Sequence, residues 1–139
     1  MTALSIVSAV PIARGAEPDN PYNDPSPLRA TSGIAGCPAP AVRVLTPEQA
    51  RREAHQRIER GTSCWLAGQC APGGDYKDDP ATTQRVADAI ARDPRFADTS
   101  LWVETLRKFV TIKGCLARAS EGDEVAALVR SIEGVKLVW

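Results

Sequence analysis

The sequence predicts an α+β fold: a small three-stranded sheet with two helices on one face, in the order αββαβ, joined to an N-terminal helical segment by disulfide bonds. Three observations carry this. Between Leu101 and Leu116 apolar residues recur at every second position, between Ser120 and Ile132 they recur at helical spacing, and the four cysteines form an even set spread over both halves of the chain. With 139 residues there is room for one ordinary core and not for two. Of the 11 prolines only Pro94 lies after residue 80, so the folded core is expected at the C-terminal end.

Residues 3–12 (ALSIVSAVPI) have the length of a signal-peptide apolar region and fall short of a bilayer-spanning helix. Ala13-Arg14-Gly15 then offers small residues at the positions a signal peptidase reads, so residues 1–15 are expected to be a signal peptide and the protein to be periplasmic or secreted. Residues 16–45 are rich in Pro, Gly, Ser, Asn and Asp and read as a flexible tether. Residues 46–79 read as a helical, cysteine-containing segment. In it Thr46-Pro47-Glu48-Gln49 supplies an N-cap, a proline at the first helical position and a capping-box Gln. That helix is expected to reach Arg60 and stop at Gly61, with a thin apolar stripe of Ala50, Ala54 and Ile58. Cys64 to Cys70 reads as a cross-linked turn that clamps it onto something else, and the tag-like run Asp75-Tyr76-Lys77-Asp78-Asp79 reads as coincidence.

The second helix is expected to begin with Asp79 as N-cap and Pro80 at its first position, to bury Val86, Ala89 and Ile90, and to end at Asp93-Pro94. Leu101, Val103 and Thr105 alternate with Trp102, Glu104 and Leu106, and Val110 and Ile112 alternate with Thr111 and Lys113, which is an antiparallel hairpin with Arg107-Lys108 at its tip. Because residues with a Cβ resist the positive φ of the tightest turns, a wider turn is expected there. Ser120 is expected to cap a helix with Val125, Leu128, Val129 and Ile132 on one face, and Val135 to Trp139 forms the last strand.

Val110-Thr111-Ile112-Lys113-Gly114 in the second strand of the hairpin and Gly134-Val135-Lys136-Leu137-Val138 at the end, in this element order, resemble the BON domain family over residues 80–139. The resemblance implies the sheet-and-two-helix fold, a place in the bacterial envelope and binding to phospholipid surfaces. It points also to Arg85, Arg92 and Arg95 of the first domain helix as lipid contacts. Related small domains build rings in secretion machinery, so the alternative is a protein-interaction or assembly module of an envelope or secretion complex.

Seventeen basic residues balance seventeen acidic ones, so no global field draws the chain to nucleic acid. Local cationic residues, Arg107, Lys108, Lys113 and Arg118, are the candidate contacts to an anionic phospholipid surface; an envelope protein is the other candidate partner. A catalytic site is not expected, since the one histidine, His55, sits on a highly charged helix and no Gly-rich phosphate loop follows a strand. Nor is a cofactor. Cys37, Cys64, Cys70 and Cys115 lack a CxxC pair, which favours two disulfides over zinc with His55 as an added ligand. Ile34-Ala35-Gly36-Cys37 matches a short lipobox, the alternative fate for Cys37.

Alternation sends Trp102, Leu106, Lys113 and Cys115 to the sheet face away from the helices. The N-terminal segment, with Ala50, Ala54, Ile58, Trp65 and Leu66, is expected to cover that face, and Cys115 to bond Cys37, Cys64 or Cys70, the first two preferred. The rival arrangement leaves Cys115 as a free thiol beside a Cys64–Cys70 bridge.

Overall fold

The computed structural model describes residues 19–139, and the expected signal peptide lies outside them. In chain order the elements are β1 (Leu28–Arg29), α1 (Pro47–Leu66), α2 (Asp79–Arg92), β2 (Ser100–Leu106), β3 (Phe109–Cys115), α3 (Ser120–Arg130) and β4 (Leu137–Val138). The αββαβ order of the C-terminal part is present. The sheet has four strands instead of three, in the order β1-β2-β3-β4. β2 and β3 pair antiparallel with Val103 opposite Ile112, and β4 joins β3 in parallel with Val110 opposite Val138.

The core lies between the sheet and the two helices. Val86, Ala87 and Ile90 of α2, Val125 and Val129 of α3, and Phe96 close over Leu101, Val103, Val110 and Val138. Ala87, three residues from Ile90 and so on its face, is buried, whereas Ala89, expected there, is turned to the side of the helix and is half-buried. Leu128 and Ile132 pack against its edge. Neither expected cap acts as one: the side chains at the N-terminal ends of α2 and α3 make no capping bond there. For α3 the buried Glu121 accepts instead from the Ala117 and Arg118 backbone N–H groups at 2.8 and 2.9 Å, so the carboxylate serves the chain before the helix.

The extra strand corrects the expectation of a flexible tether. Leu28 and Arg29 add to the edge of β2. Beyond them Ala30 N–H donates to the Leu101 carbonyl at 2.8 Å, the Thr31 hydroxyl accepts from Leu101 N–H at 2.9 Å, and Gly33 N–H donates to the Thr99 carbonyl at 2.7 Å. Ser100 Oγ donates to the Ile34 carbonyl and accepts from its N–H. A composition poor in apolar residues still forms an ordered edge because the exposed groups of β2 offer it backbone partners.

Cys37 is bonded to Cys115, and Cys64 to Cys70. The long-range bond joins the N-terminal segment to the end of β3 as expected, and the local bridge accompanies it. The expected cover does not form in the expected way: α1 has no buried residue, and Ile58, Trp65 and Leu66 are 70%, 52% and 74% exposed. Trp102 is nevertheless buried, with the Arg29 guanidinium 5.2 Å from its ring centroid, so β1 and its continuation do what α1 was expected to do.

Gly61 does not end α1, which keeps its predicted capping box and runs on to Leu66. The glycine sits where Gly74 passes close by: a Cβ on Gly74 would lie 2.7 Å from the Gly61 Cα. A charged network holds α1 to the preceding segment. Arg57 pairs with Asp24 at 2.5 Å and with Glu53 at 3.2 Å, and Arg43 pairs with both carboxylates. Burial acts to raise the Glu53 carboxyl, but the Arg43 and Arg57 guanidiniums outweigh it and hold it below its ordinary value.

Candidate functional site

The hairpin tip is fixed by its register and by a buried carboxylate. Leu106 pairs directly with Phe109, so the turn has two residues, and both Arg107 and Lys108 have positive φ, 57° and 63°. This overturns the expected wide turn. Left-handed backbone costs roughly 1–2 kcal/mol for a residue with a Cβ, so something must offset it. The buried Asp79 carboxylate does, accepting from Arg107 N–H at 2.6 Å and from Lys108 N–H at 2.8 Å. The side chain read as a helix cap is turned instead onto the hairpin.

Asp75 and Asp78 complete the clamp. Lys108 Nζ lies 3.4 Å from Asp75 and 3.6 Å from Asp78, Lys136 Nζ pairs with Asp75, and Lys136 N–H donates to the Lys108 carbonyl. The run Asp75 to Asp79 therefore docks the tip and the entry to β4 on the start of α2. Burial pushes the Asp79 carboxyl above its ordinary range, against the pull of the Lys108 and Arg107 backbone hydrogen bonds.

The sign follows from linkage. A carboxyl raised in the folded state contributes stability that is full below the unfolded pKa and is lost as pH rises through the folded one. Asp79→Ala is expected to cost about 3 kcal/mol, since two half-buried N–H groups lose a charged acceptor at a turn that needs it. Asp79→Asn should cost less, because it keeps one acceptor, and should flatten the dependence of stability on pH above the ordinary carboxylate range. Urea unfolding of the three forms across pH measures both effects.

The four cationic residues do not form one cluster. Arg107 and Lys108 sit at one end of β3 and Arg118 beyond the other, about 20 Å along the strand. Lys108 is clamped as described, Lys113 pairs with Glu104 at 2.6 Å, and Arg118 pairs with Glu121 at 2.6 Å. Among the described residues Arg107 has no acidic partner; its guanidinium lies 5.1 Å from the Phe109 ring centroid. Phe109 and Leu137 are directly paired on the sheet face opposite the core residues Val110 and Val138, with Leu137 exposed; the exposed Trp139 lies farther along, lining a cleft with Ile112, Gly114, Leu116 and Val125 toward the other end of β3. This apolar edge beside Arg107 escaped the sequence reading, although the alternation of Leu137 with the buried Val138 already pointed outward.

Residues 78–139 match the BON domain. Comparison with curated proteins and with solved structures gives no match. The match begins within the acidic run, so Asp78 and Asp79 lie within the matched residues, while Asp75, β1, α1 and the Cys64–Cys70 loop precede them. The BON domain family is one of phospholipid and envelope binding and is generally non-enzymatic. Of the Arg residues on or just after its first helix, Arg92 pairs with Asp88 and Arg95 with Asp93 and Glu124, whereas Arg85 donates to the Thr82 hydroxyl. His55 is an exposed side chain 3.9 Å from Glu59. Ligand atoms of Cys64, Cys70 and Asp75 fall within 4.8 Å of one another, but the two sulfurs are joined in a disulfide and offer no thiolate to zinc. Among the described residues no helix is long and apolar enough to cross a membrane.

Proposed function

We propose that the protein is a non-enzymatic envelope module that binds anionic phospholipid surfaces through the tip and outer edge of the BON domain hairpin. The supporting observation is Arg107, without an acidic partner among the described residues, on a clamped tip beside Phe109 and the exposed Leu137. A cation flanked by aromatic and aliphatic groups suits the boundary between headgroups and acyl chains. Lys108, Lys113 and Arg118 contribute through the field, each reduced by its carboxylate partner. The disulfides fit an oxidising compartment, the periplasm or the exterior, reached by export with loss of residues 1–15.

Co-sedimentation with vesicles tests this. Binding should appear with phosphatidylglycerol vesicles at low salt, fade as salt rises and be absent with phosphatidylcholine. A cation near an anionic surface contributes about 1 kcal/mol, so Arg107→Ser should weaken binding about fivefold, and Lys108→Ser less. No binding to anionic vesicles at low salt would remove the proposal. The alternative, an assembly module of an envelope complex, is favoured by one feature, the apolar exposure of Ile58, Trp65 and Leu66 on α1.

A further inference from the structure

A cleft of about 550 Å³ opens between α1 and the loop before α2, outside the BON domain, lined by Tyr22, Arg57, Ile58, Trp65, Pro72 and Tyr76. Its floor is fixed. The Arg57 guanidinium lies between the Tyr22 and Tyr76 rings, 4.1 and 4.2 Å from their centroids, and its charge is met by Asp24 and Glu53. The Tyr22 hydroxyl donates to the Ala50 carbonyl at 2.5 Å. An ionic ligand would find no uncompensated charge on that floor.

What remains for a ligand is aromatic surface and hydrogen-bond donors. The Trp65 indole N–H and the Tyr76 and Thr62 hydroxyls have no partner among the described residues, and the indole can only donate. The complement is an uncharged chain with apolar rings and free carbonyls. A proline-rich segment in the polyproline II conformation has both, and it enters a groove without the ordering cost of a flexible peptide.

This chain carries an uncharged segment with two prolines on its own surface. Pro38-Ala39-Pro40-Ala41-Val42 is uncharged and largely exposed, and among the described residues no backbone group of Pro38 to Val44 pairs with another backbone group. It is held at both ends, by the Cys37–Cys115 bond and by the reciprocal hydrogen bonds of Leu45 with Asp19, which keep it presented. We propose that the cleft receives Pro38–Val42 of a second copy of this chain. The inference rests on the assembly reading and names its site. Cleft and segment are different patches of one chain, so the contact is head-to-tail and builds rings or filaments instead of a closed two-fold dimer. The matching lack of net charge on both sides argues for this pair, and the small size of the contact makes each joint weak and transient.

The test uses the full chain and a peptide of residues 36–43 with Ser in place of Cys37. Titrating the peptide should shift the Trp65 indole N–H resonance, and the sedimentation coefficient of the full chain should rise with concentration. Trp65→Ala, at an exposed position, should lower peptide affinity at least tenfold, and Tyr76→Phe several-fold; the double replacement Pro38→Ala, Pro40→Ala should abolish the concentration dependence. A silent indole resonance would overturn the proposal. So would peptide binding by a chain that stays monomeric at every concentration, which would assign the cleft to another protein's proline-rich segment, or binding seen only after removal of residues 1–18, which would assign it to this chain's own N-terminus. If both the indole shift and self-association are lacking while vesicles still bind, the inference fails and the lipid proposal stands.

Discussion

Gly114→Ala should destabilise the protein by about 3–5 kcal/mol, enough to remove much of the stability of an ordinary domain. Gly114 has φ +142°, and a Cβ there would lie 2.0 Å from the Ser100 carbonyl oxygen and 3.0 Å from the Leu101 Cα. Both neighbours are backbone of the central strand β2, so neither can swing aside as a side chain would. The methyl group forces β2 and β3 apart at the end where Ser100 pairs with Cys115. Gly68→Ala is the matched control, with φ +67° and nothing within 4 Å of the added Cβ. It should cost only the conformational penalty, about 1 kcal/mol. Urea midpoints of the two variants separate collision from conformation; equal midpoints would show that the strands yield.

Replacing Cys37 and Cys115 together by Ser should cost about 4 kcal/mol, against about 2 kcal/mol for Cys64 and Cys70. The difference is entropic, since the bonds span 78 and 6 residues and the longer loop restricts the unfolded chain more. A second consequence is local. Without the Cys37 anchor, the strip from Leu28 to Ile34 holds to β2 by hydrogen bonds alone, and the buried Trp102 beneath Arg29 should become accessible to quencher at denaturant concentrations where the native form still protects it. Equal losses of stability in the two double variants would contradict the loop-length argument.

The hairpin, the faces of its strands and most core residues on α2 and α3 were legible because sheet and helix periods are local properties of the chain. β1 was not, because two residues in a proline- and serine-rich stretch carry no period; their partners, Trp102 and Val103, lie more than seventy residues away. Asp79 was misassigned for a different reason. An aspartate before Pro80 has the form of a cap, and only the three-dimensional neighbourhood brings two backbone N–H groups of a left-handed turn to its carboxylate. The acidic run dismissed as coincidence proved to be the clamp on the candidate site. α1 shows the converse error: its apolar stripe suggested burial, but the helix is held on its polar side, through Glu53 and Arg57 to Asp24 and Arg43, with Ile58 of the stripe left open to the cleft. Ion pairing across such distances leaves no spacing signature.

The bond between Cys37 and Cys115 also sets a problem of timing during biosynthesis. A ribosome delivers Cys37, Cys64 and Cys70 well before Cys115, and the strand that positions Cys115 exists only after β2 and β3 have been made. In an oxidising environment the first thiols available to Cys37 are therefore wrong ones. The correct pairing is reached by waiting or by exchange, in which a thiolate attacks a mixed or misplaced disulfide, so the yield of native protein depends on an isomerase or thiol buffer more than on the stability of the finished fold.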